Sequence, residues 1–454
     1  MDIGTLSLIL LCGMLALLAI GMPLGFASGF LAVAVLFMKF GPDLLLRSFG
    51  TGPLNILAQR MYGLMTDYVI ISVPLFIFMA SLLERSGIAR DMFDSLNTWL
   101  SRTRGGIAIV TAIMAIIMAA MSGIIGGEVV LLGLIALPNM LRLGYNQNLA
   151  IGTICASGSL GTMIPPSIVL IIYGLVTETS IHALFKAAFL PGLLLGGLYI
   201  LYIIIRTRLR PEQAPLPEGG SDVTWGDKLR ALPGLLPPLL VVFVVLGSIY
   251  GGITGITEAA GMGTVAVLIL ITLRREMPLA LIREALMQTF KSTGTILWVT
   301  FGATALAGAY SIAGGPVYVA NLIVGAELPT MSVILAMMVI FLFLGAFMDW
   351  VGIVLLVMPV FLPIVVRLPV AELGWFGTLE PAHVAIWFGI LFCVNMQVSF
   401  LSPPFGPAAF YLRSVAPPHI SLPDIFRGFL PFIGIQLLVL LVMLSFPPLV
   451  SVFL

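Results

Sequence analysis

Long apolar runs separated by short polar breaks dominate the chain, and in two places the polar break falls inside an apolar stretch rather than between two. The runs predict membrane-spanning helices at 5–38 (one or two crossings, divided near Pro23), 68–84, 105–122, 128–142, 188–205, 233–250, 254–273, 293–313, 331–348, 349–366 and 429–450. A helix needs about 20 apolar residues to cross the hydrocarbon core. These runs are continuous, without the alternation of period two that a transmembrane barrel requires. Segments 44–64, 88–101 and 277–291 mix Leu, Ile, Phe and Met with charges and read as amphipathic helices lying at the interface.

The two internal breaks share one pattern. The first reads Ser157-Gly158-Ser159-Leu160-Gly161-Thr162-Met163-Ile164-Pro165-Pro166-Ser167, and the second Asn395-Met396-Gln397-Val398-Ser399-Phe400-Leu401-Ser402-Pro403-Pro404. Proline has no N–H and ends a helix, and hydrocarbon offers no water to the carbonyls this frees. Broken backbone at membrane depth therefore survives only inside protein or beside a watery cavity. Segments of about 147–175 and 384–413 are expected to be re-entrant hairpins, and a matched pair of them points to a carrier's binding site.

Other anchors recur in the same order. Glu128 stands ten residues before Pro138 and Asp349 ten before Pro359; Tyr173 and Tyr411 each follow a Pro-Pro by eight; Ser180, Lys186 and Pro191 are echoed by Ser421, Arg427 and Pro431. The acids are 221 residues apart and the prolines 238, which places an insertion in the second half, with 368–383 the candidate. The expected fold is an all-α polytopic membrane protein of two repeats. The first is 1–206, with its hairpin at about 147–175. A polar central loop at 207–231, carrying Pro211, Pro215, Pro217, Gly219, Gly220 and Ser221, leads to the second at 232–454, with its hairpin at about 384–413. Carriers commonly arrange such repeats in inverted orientation, and that is the expectation here.

Composition agrees. Of 454 residues, 60% are hydrophobic and 9% charged, against about 25% charged in a soluble domain, and the mean hydropathy is +1.15. The net charge of +1 gives no sign of nucleic-acid binding, and the three cysteines and three histidines form no metal or disulfide pattern. The first apolar stretch is too long for a secretory signal and follows Met1-Asp2 rather than a basic leader. Basic residues around the central loop and at Arg274, Arg275, Arg283 and Lys291 place both regions in the cytoplasm by the positive-inside tendency. The chain has no P-loop and no His-Glu-x-x-His, Cys-x-x-Cys or Gly-x-Ser-x-Gly, so an ATPase engine and an intramembrane enzyme lack support.

Chemistry is expected at the hairpin tips. A helix ending there exposes carbonyls that favour a cation such as Na⁺, and one starting there exposes N–H groups that favour a carboxylate. Ser157, Ser159, Thr162, Asn395, Gln397, Ser399 and Ser402 add neutral oxygens, and kinks with back-bonded hydroxyls are the bland alternative. Glu128, after Ser122-Gly123-Ile124-Ile125-Gly126-Gly127, and Asp349, after Gly345-Ala346-Phe347-Met348, sit where helices could unwind. Carboxylates at membrane depth are functional candidates; capping near an interface is the other reading. Glu258 reads as a first-turn capping acid. Arg413 could reach a substrate carboxylate or snorkel to the interface. Gly21, Gly25 and Gly29, and Gly192 with Gly196, fit close helix packing.

At Ser122-Gly123, Leu137-Pro138, Gly144-Tyr145, Gly158-Ser159-Leu160-Gly161, Ile164-Pro165-Pro166-Ser167, Thr257-Glu258-Ala259-Ala260, Pro403-Pro404-Phe405-Gly406 and Phe426-Arg427-Gly428-Phe429-Leu430-Pro431, the chain resembles the large membrane subunit of TRAP transporters, the DctM family. The resemblance spans nearly the whole chain. It implies Na⁺-driven secondary uptake of an organic anion, commonly a carboxylate, by an elevator-type motion of a transport region against a scaffold. It also implies a periplasmic substrate-binding protein, a small four-helix DctQ-like membrane subunit as a separate chain, and a bacterial inner membrane, with no cofactor beyond Na⁺ as coupling ion. By family analogy Na⁺ lies between each hairpin and the preceding broken helix, here at Ser122, Ser157 and Gly161 and at Gly345, Asp349 and Ser402; Glu128 and Asn395 join them as candidates. The substrate-facing candidates are Ser159, Thr162, Pro165, Pro166, Gln397, Ser399, Pro403, Pro404 and Arg413. The family often has Ser-Gly-Ser-Ser where this chain has Ser122-Gly123-Ile124-Ile125, so two hydroxyls are absent from the first site. A stand-alone Na⁺/dicarboxylate carrier with the same two hairpins is the alternative.

Overall fold

The computed structural model describes residues 2–41, 52–123, 126–216, 223–275, 278–325 and 328–454. Residues 44–51 of the first amphipathic segment, Ile124-Ile125 and the loop residues Pro217, Gly219, Gly220 and Ser221 lie outside these. Every regular element among the described residues is helical. Six helices are long and apolar enough to cross a membrane: Tyr68–Arg85, Ile181–Leu209, Ile256–Leu273, Leu279–Ile312, Pro381–Leu401 and Leu422–Ser445. Trp225–Gly234 and Leu236–Tyr250 form a further pair bent by 48°.

The first apolar stretch divides at Pro23 into Ile3–Ala19 and Leu24–Phe40. Leu24–Phe40 lies against Leu279–Ile312, with Gly25 and Gly302 in direct apposition: a Cβ on Gly302 would collide with the Gly25 carbonyl. Small residues at such crossings let backbones approach closely. Leu6, Met14, Leu31, Val35, Leu57 and Leu306 close a small core there, separate from the large core of the remaining helices.

Two boundaries differ from the sequence expectation. The interfacial segment 277–291 and the span 293–313 are one helix of 34 residues, Leu279–Ile312. No proline interrupts it, and Arg283, Glu284 and Lys291 lie on its exposed side, so the charges do not break the ladder. The last helices of the two halves begin earlier than their apolar cores, at Ile181 and Leu422, because Ser180 and Ser421 cap them, Ser421 in a reciprocal capping box with Asp424. Each of these helices carries an internal proline, Pro191 or Pro431.

The two halves run through the same sequence of elements. Gly106–Ser122, Gly127–Arg142, Gln147–Gly158, Ile168–Thr177 and Ile181–Leu209 are matched by Thr330–Gly345, Trp350–Val365, Val384–Leu401, Pro407–Arg413 and Leu422–Ser445. Their packing is reciprocal. Ile168–Thr177 rests on Trp350–Val365, and Pro407–Arg413 on Gly127–Arg142. Gln147–Gly158 packs on Leu422–Ser445, and Val384–Leu401 on Ile181–Leu209. Residues 368–383, the expected insertion, form a loop tied to the chain's end through Trp375 and Phe376 N–H groups donating to the Ser445 carbonyl (3.1 and 2.8 Å).

Candidate functional site

The hairpins meet at equivalent positions. Ser159 and Gln397 are 238 residues apart, the same offset as Pro165 and Pro403, and they contact each other. The Ser159 hydroxyl has one proton within reach of both Gln397 Oε1 (2.5 Å) and the Ala156 carbonyl (2.7 Å). Gln397 Nε2 donates to the Ser159 carbonyl (2.8 Å) and to the Thr162 hydroxyl. All three side chains are buried. A buried polar group without a partner costs about 1–3 kcal/mol, so the first hairpin supplies the partners that the buried Gln397 amide of the second requires.

The first break lies beside the first tip. Gly123 ends its helix at φ +58° and Gly126 opens the next at φ +108°, left-handed geometries that favour glycine. The Gly123 carbonyl accepts from Ile168 N (3.3 Å), and a Cβ on Gly123 would meet the Pro166 carbonyl. Ser122 donates to Glu128 Oε1, while Glu128 Oε2 and the Ser157 hydroxyl are buried with no partner in the protein. Gly161 is buried in the short turn Leu160–Thr162. The Glu84 carboxylate lies against Gly127. Nothing in the sequence ties residue 84 to residue 127, and only the packing of Ser72–Arg85 on this region brings them together.

At the second break, Asp349 holds the N-cap position of Trp350–Val365 in extended conformation (φ −71°, ψ 153°), its side chain exposed. Gly345, Asp349, Ser399 and Phe400 line a cavity of about 20 Å³, the scale of one water or one ion. Gly345 abuts the Ser399 side chain, which donates to the Asn395 carbonyl (3.2 Å). Asn395 Nδ2 donates to the Met338 carbonyl (2.9 Å) and its Oδ1 is buried without a protein partner. Asn395 is the 238-residue counterpart of Ser157, so unpartnered buried oxygens occur at matching places in the two hairpins. Ser402 donates back to the Val398 carbonyl (2.8 Å).

Between the second hairpin, both breaks and Leu279–Ile312 lies a cavity of about 540 Å³. Gly123, Ile168, Ser292, Thr295, Asp349, Trp350, Phe400, Phe405, Phe410 and Tyr411 line it. The Tyr411 ring lies over Gly126 of the first break. Pro165 and Pro166 are buried, whereas Pro403 and Pro404 are exposed; both Pro-Pro bonds are cis. Arg413 does not line the cavity. Its guanidinium donates to the Ile420 carbonyl (2.6 Å) and lies 3.4 Å from those of Pro417 and Pro418, fixing its own loop. Glu258 stands in the first turn of Ile256–Leu273 and accepts from the Tyr68 hydroxyl (3.1 Å).

The sequence pointed to the tips, the breaks, both acids and Tyr411 as a repeat anchor, but not to Glu84 or to the other aromatic residues of the lining. In an apolar chain aromatic residues read as core; the signal available was the concentration of Phe and Tyr at 400, 405, 410 and 411, on either side of the second Pro-Pro.

The sequence model of the family described as "Tripartite ATP-independent periplasmic transporter, DctM component" matches residues 11–449. A relative named C4-dicarboxylate TRAP transporter large permease protein DctM, from Pseudomonas aeruginosa, is 30% identical over 93% of this chain and 92% of its own. The ectoine TRAP transporter large permease protein TeaC of Halomonas elongata is 28% identical over 97% of each. Among solved structures, the YdaH transporter of Alcanivorax borkumensis superimposes with a TM-score of 0.57 at 15% identity, covering 93% of this chain and 96% of that one; this likeness concerns the fold alone.

Proposed function

The chain belongs to the DctM family of tripartite ATP-independent periplasmic transporters, and from that premise we propose that it is the permease subunit of a Na⁺-coupled importer of an organic solute. The observation that carries the proposal is the convergence of two broken helices and two hairpins, with unpartnered buried oxygens at both, around a cavity bordered by Asp349. Hard, mostly neutral oxygen sets suit Na⁺. Glu128, Ser122 and Ser157 would serve at the first break, with the carbonyls at Gly161, and Asp349, Asn395, Ser399 and Ser402 at the second, with those at Gly345. A buried carboxylate needs a compensating charge, which a bound cation would supply at Glu128.

Na⁺ at the second break would neutralise Asp349 and fix the second hairpin, raising solute affinity in the adjoining cavity; coupling of this kind is reciprocal and typically about 1–3 kcal/mol. The body carrying both hairpins would then move past the helices of the smaller core as an elevator. Two repeats of inverted orientation would give this body two equivalent end states. The proposed partners are a small four-helix membrane subunit and a periplasmic binding protein that delivers the solute at a bacterial inner membrane.

The test is uptake by proteoliposomes holding this chain with its partner subunit and binding protein, offered ectoine and succinate, the latter a C4-dicarboxylate. An inward Na⁺ gradient should drive accumulation, and Asp349→Asn should lower it at least tenfold with the folded protein retained. Uptake indifferent to the Na⁺ gradient would remove the coupling claim; full activity of the variant would clear Asp349.

A further inference from the structure

Taking the large cavity as the solute site, which rests on the function proposed above, we infer that its solute is a zwitterion whose cationic group is alkylated or delocalised, and not a dianion. Trp350, Phe400, Phe405, Phe410 and Tyr411 bring five aromatic rings to one cavity, and among its described lining residues Asp349 is the single charged side chain. No Lys, Arg or His lines it.

Phe400 is buried and belongs to the core, whereas three of the rings stand as walls. Phe405, Phe410 and Tyr411 are 45%, 47% and 40% exposed. Phe400 and Tyr411 stand 6.3 Å apart at 32°, and Phe405 and Phe410 6.0 Å apart at 38°. Aromatic faces carry negative potential and attract cations within about 6 Å of their centroids. An alkylated or delocalised cation is weakly hydrated, so it gives up least water to reach such a wall.

A dicarboxylate asks for the opposite surface. Recognition of carboxylates favours the guanidinium fork, yet Arg413 is committed to the carbonyls of Pro417, Pro418 and Ile420. On the helix that forms the far wall, Lys291 precedes the lining residue Ser292 but is exposed and does not line the cavity. A dianion would face Asp349 and an aromatic wall with no fixed positive charge among the described lining residues. With one Na⁺ beside Asp349 the wall is neutral, and a molecule of zero net charge matches it. The single carboxylate of a zwitterion would take the Ser292 hydroxyl, which accepts from Gln288 Nε2 (3.2 Å) and keeps its own proton free to donate.

The test is Na⁺-driven uptake by the reconstituted complete transporter, with labelled glycine betaine, carnitine and ectoine as zwitterionic probes and succinate and malate as dianions. At least one zwitterion should accumulate without inhibition by a hundredfold excess of succinate. Tyr411→Leu should raise its half-saturating concentration roughly tenfold, with Tyr411→Phe recovering most of the loss, and Lys291→Gln should change nothing. Na⁺-driven uptake of succinate or malate in preference to the zwitterions, or loss of transport in Lys291→Gln, overturns the inference and leaves the carrier reading standing. Absence of Na⁺-dependent uptake for every probe overturns the carrier reading as well.

Discussion

The two Pro-Pro corners come from one sequence pattern but occupy opposite surroundings. Residues 157–167 of the first tip are all buried, with the Ser167 hydroxyl bonded to the Thr162 carbonyl (2.6 Å) and the Pro166 carbonyl against Gly123. In the second, Pro403, Pro404 and Phe405 are exposed, and Ser402 bonds only back into its own helix. The first tip is a packed plug whose interactions hold the two halves together. The second is a lip at the edge of the large cavity. Duplication supplies two equivalent frames, and packing then assigns one to stability and the other to access.

Gly123 is where the packed tip is most sensitive. Gly123→Ala places a side chain at φ +58° and against the Pro166 carbonyl, and should destabilise the protein by at least about 2 kcal/mol, read as a lowered thermal midpoint in detergent. Gln397→Leu comes next. It removes the cross-hairpin donor to the Ser159 carbonyl and the Thr162 hydroxyl and the acceptor of the Ser159 hydroxyl, at a cost of about 1–3 kcal/mol. At the second tip, Pro403→Ala, at an exposed position, should stay within about 0.5 kcal/mol of the parent in the same assay; a loss as large as that of Gln397→Leu would erase the distinction between plug and lip. A gentler probe is labelling. In a variant lacking the native cysteines, cysteine at 403 should react readily with a water-soluble maleimide and cysteine at 165 should not, and equal reactivity would show that the first tip opens as freely as the second.

Much of this was legible because proline and glycine leave local marks that tertiary context does not override. The paired prolines located both tips, and the glycines around Ser122 and at Gly345 located both breaks. The serine caps at 180 and 421 were visible as repeat anchors before they were known to start helices. What stayed hidden depends on distant partners. Glu84 meets Gly127 only through packing, Arg413 was drawn to carbonyls of its own loop, and charges that looked like an interface segment lie along one continuous helix, Leu279–Ile312. The aromatic wall was hidden for another reason: in a chain that is 60% hydrophobic, a phenylalanine facing a cavity and one facing a core read alike.

The second break, beneath the lip, is the proposed seat of the ion that prepares the cavity. Trp350 lines both cavities beside Asp349, so a variant keeping it as the sole tryptophan reports on the site directly. Its fluorescence should change saturably with NaCl and not with KCl, and Asp349→Asn should abolish the response. An equal response to K⁺, or a Na⁺ response that survives Asp349→Asn, would contradict the claim.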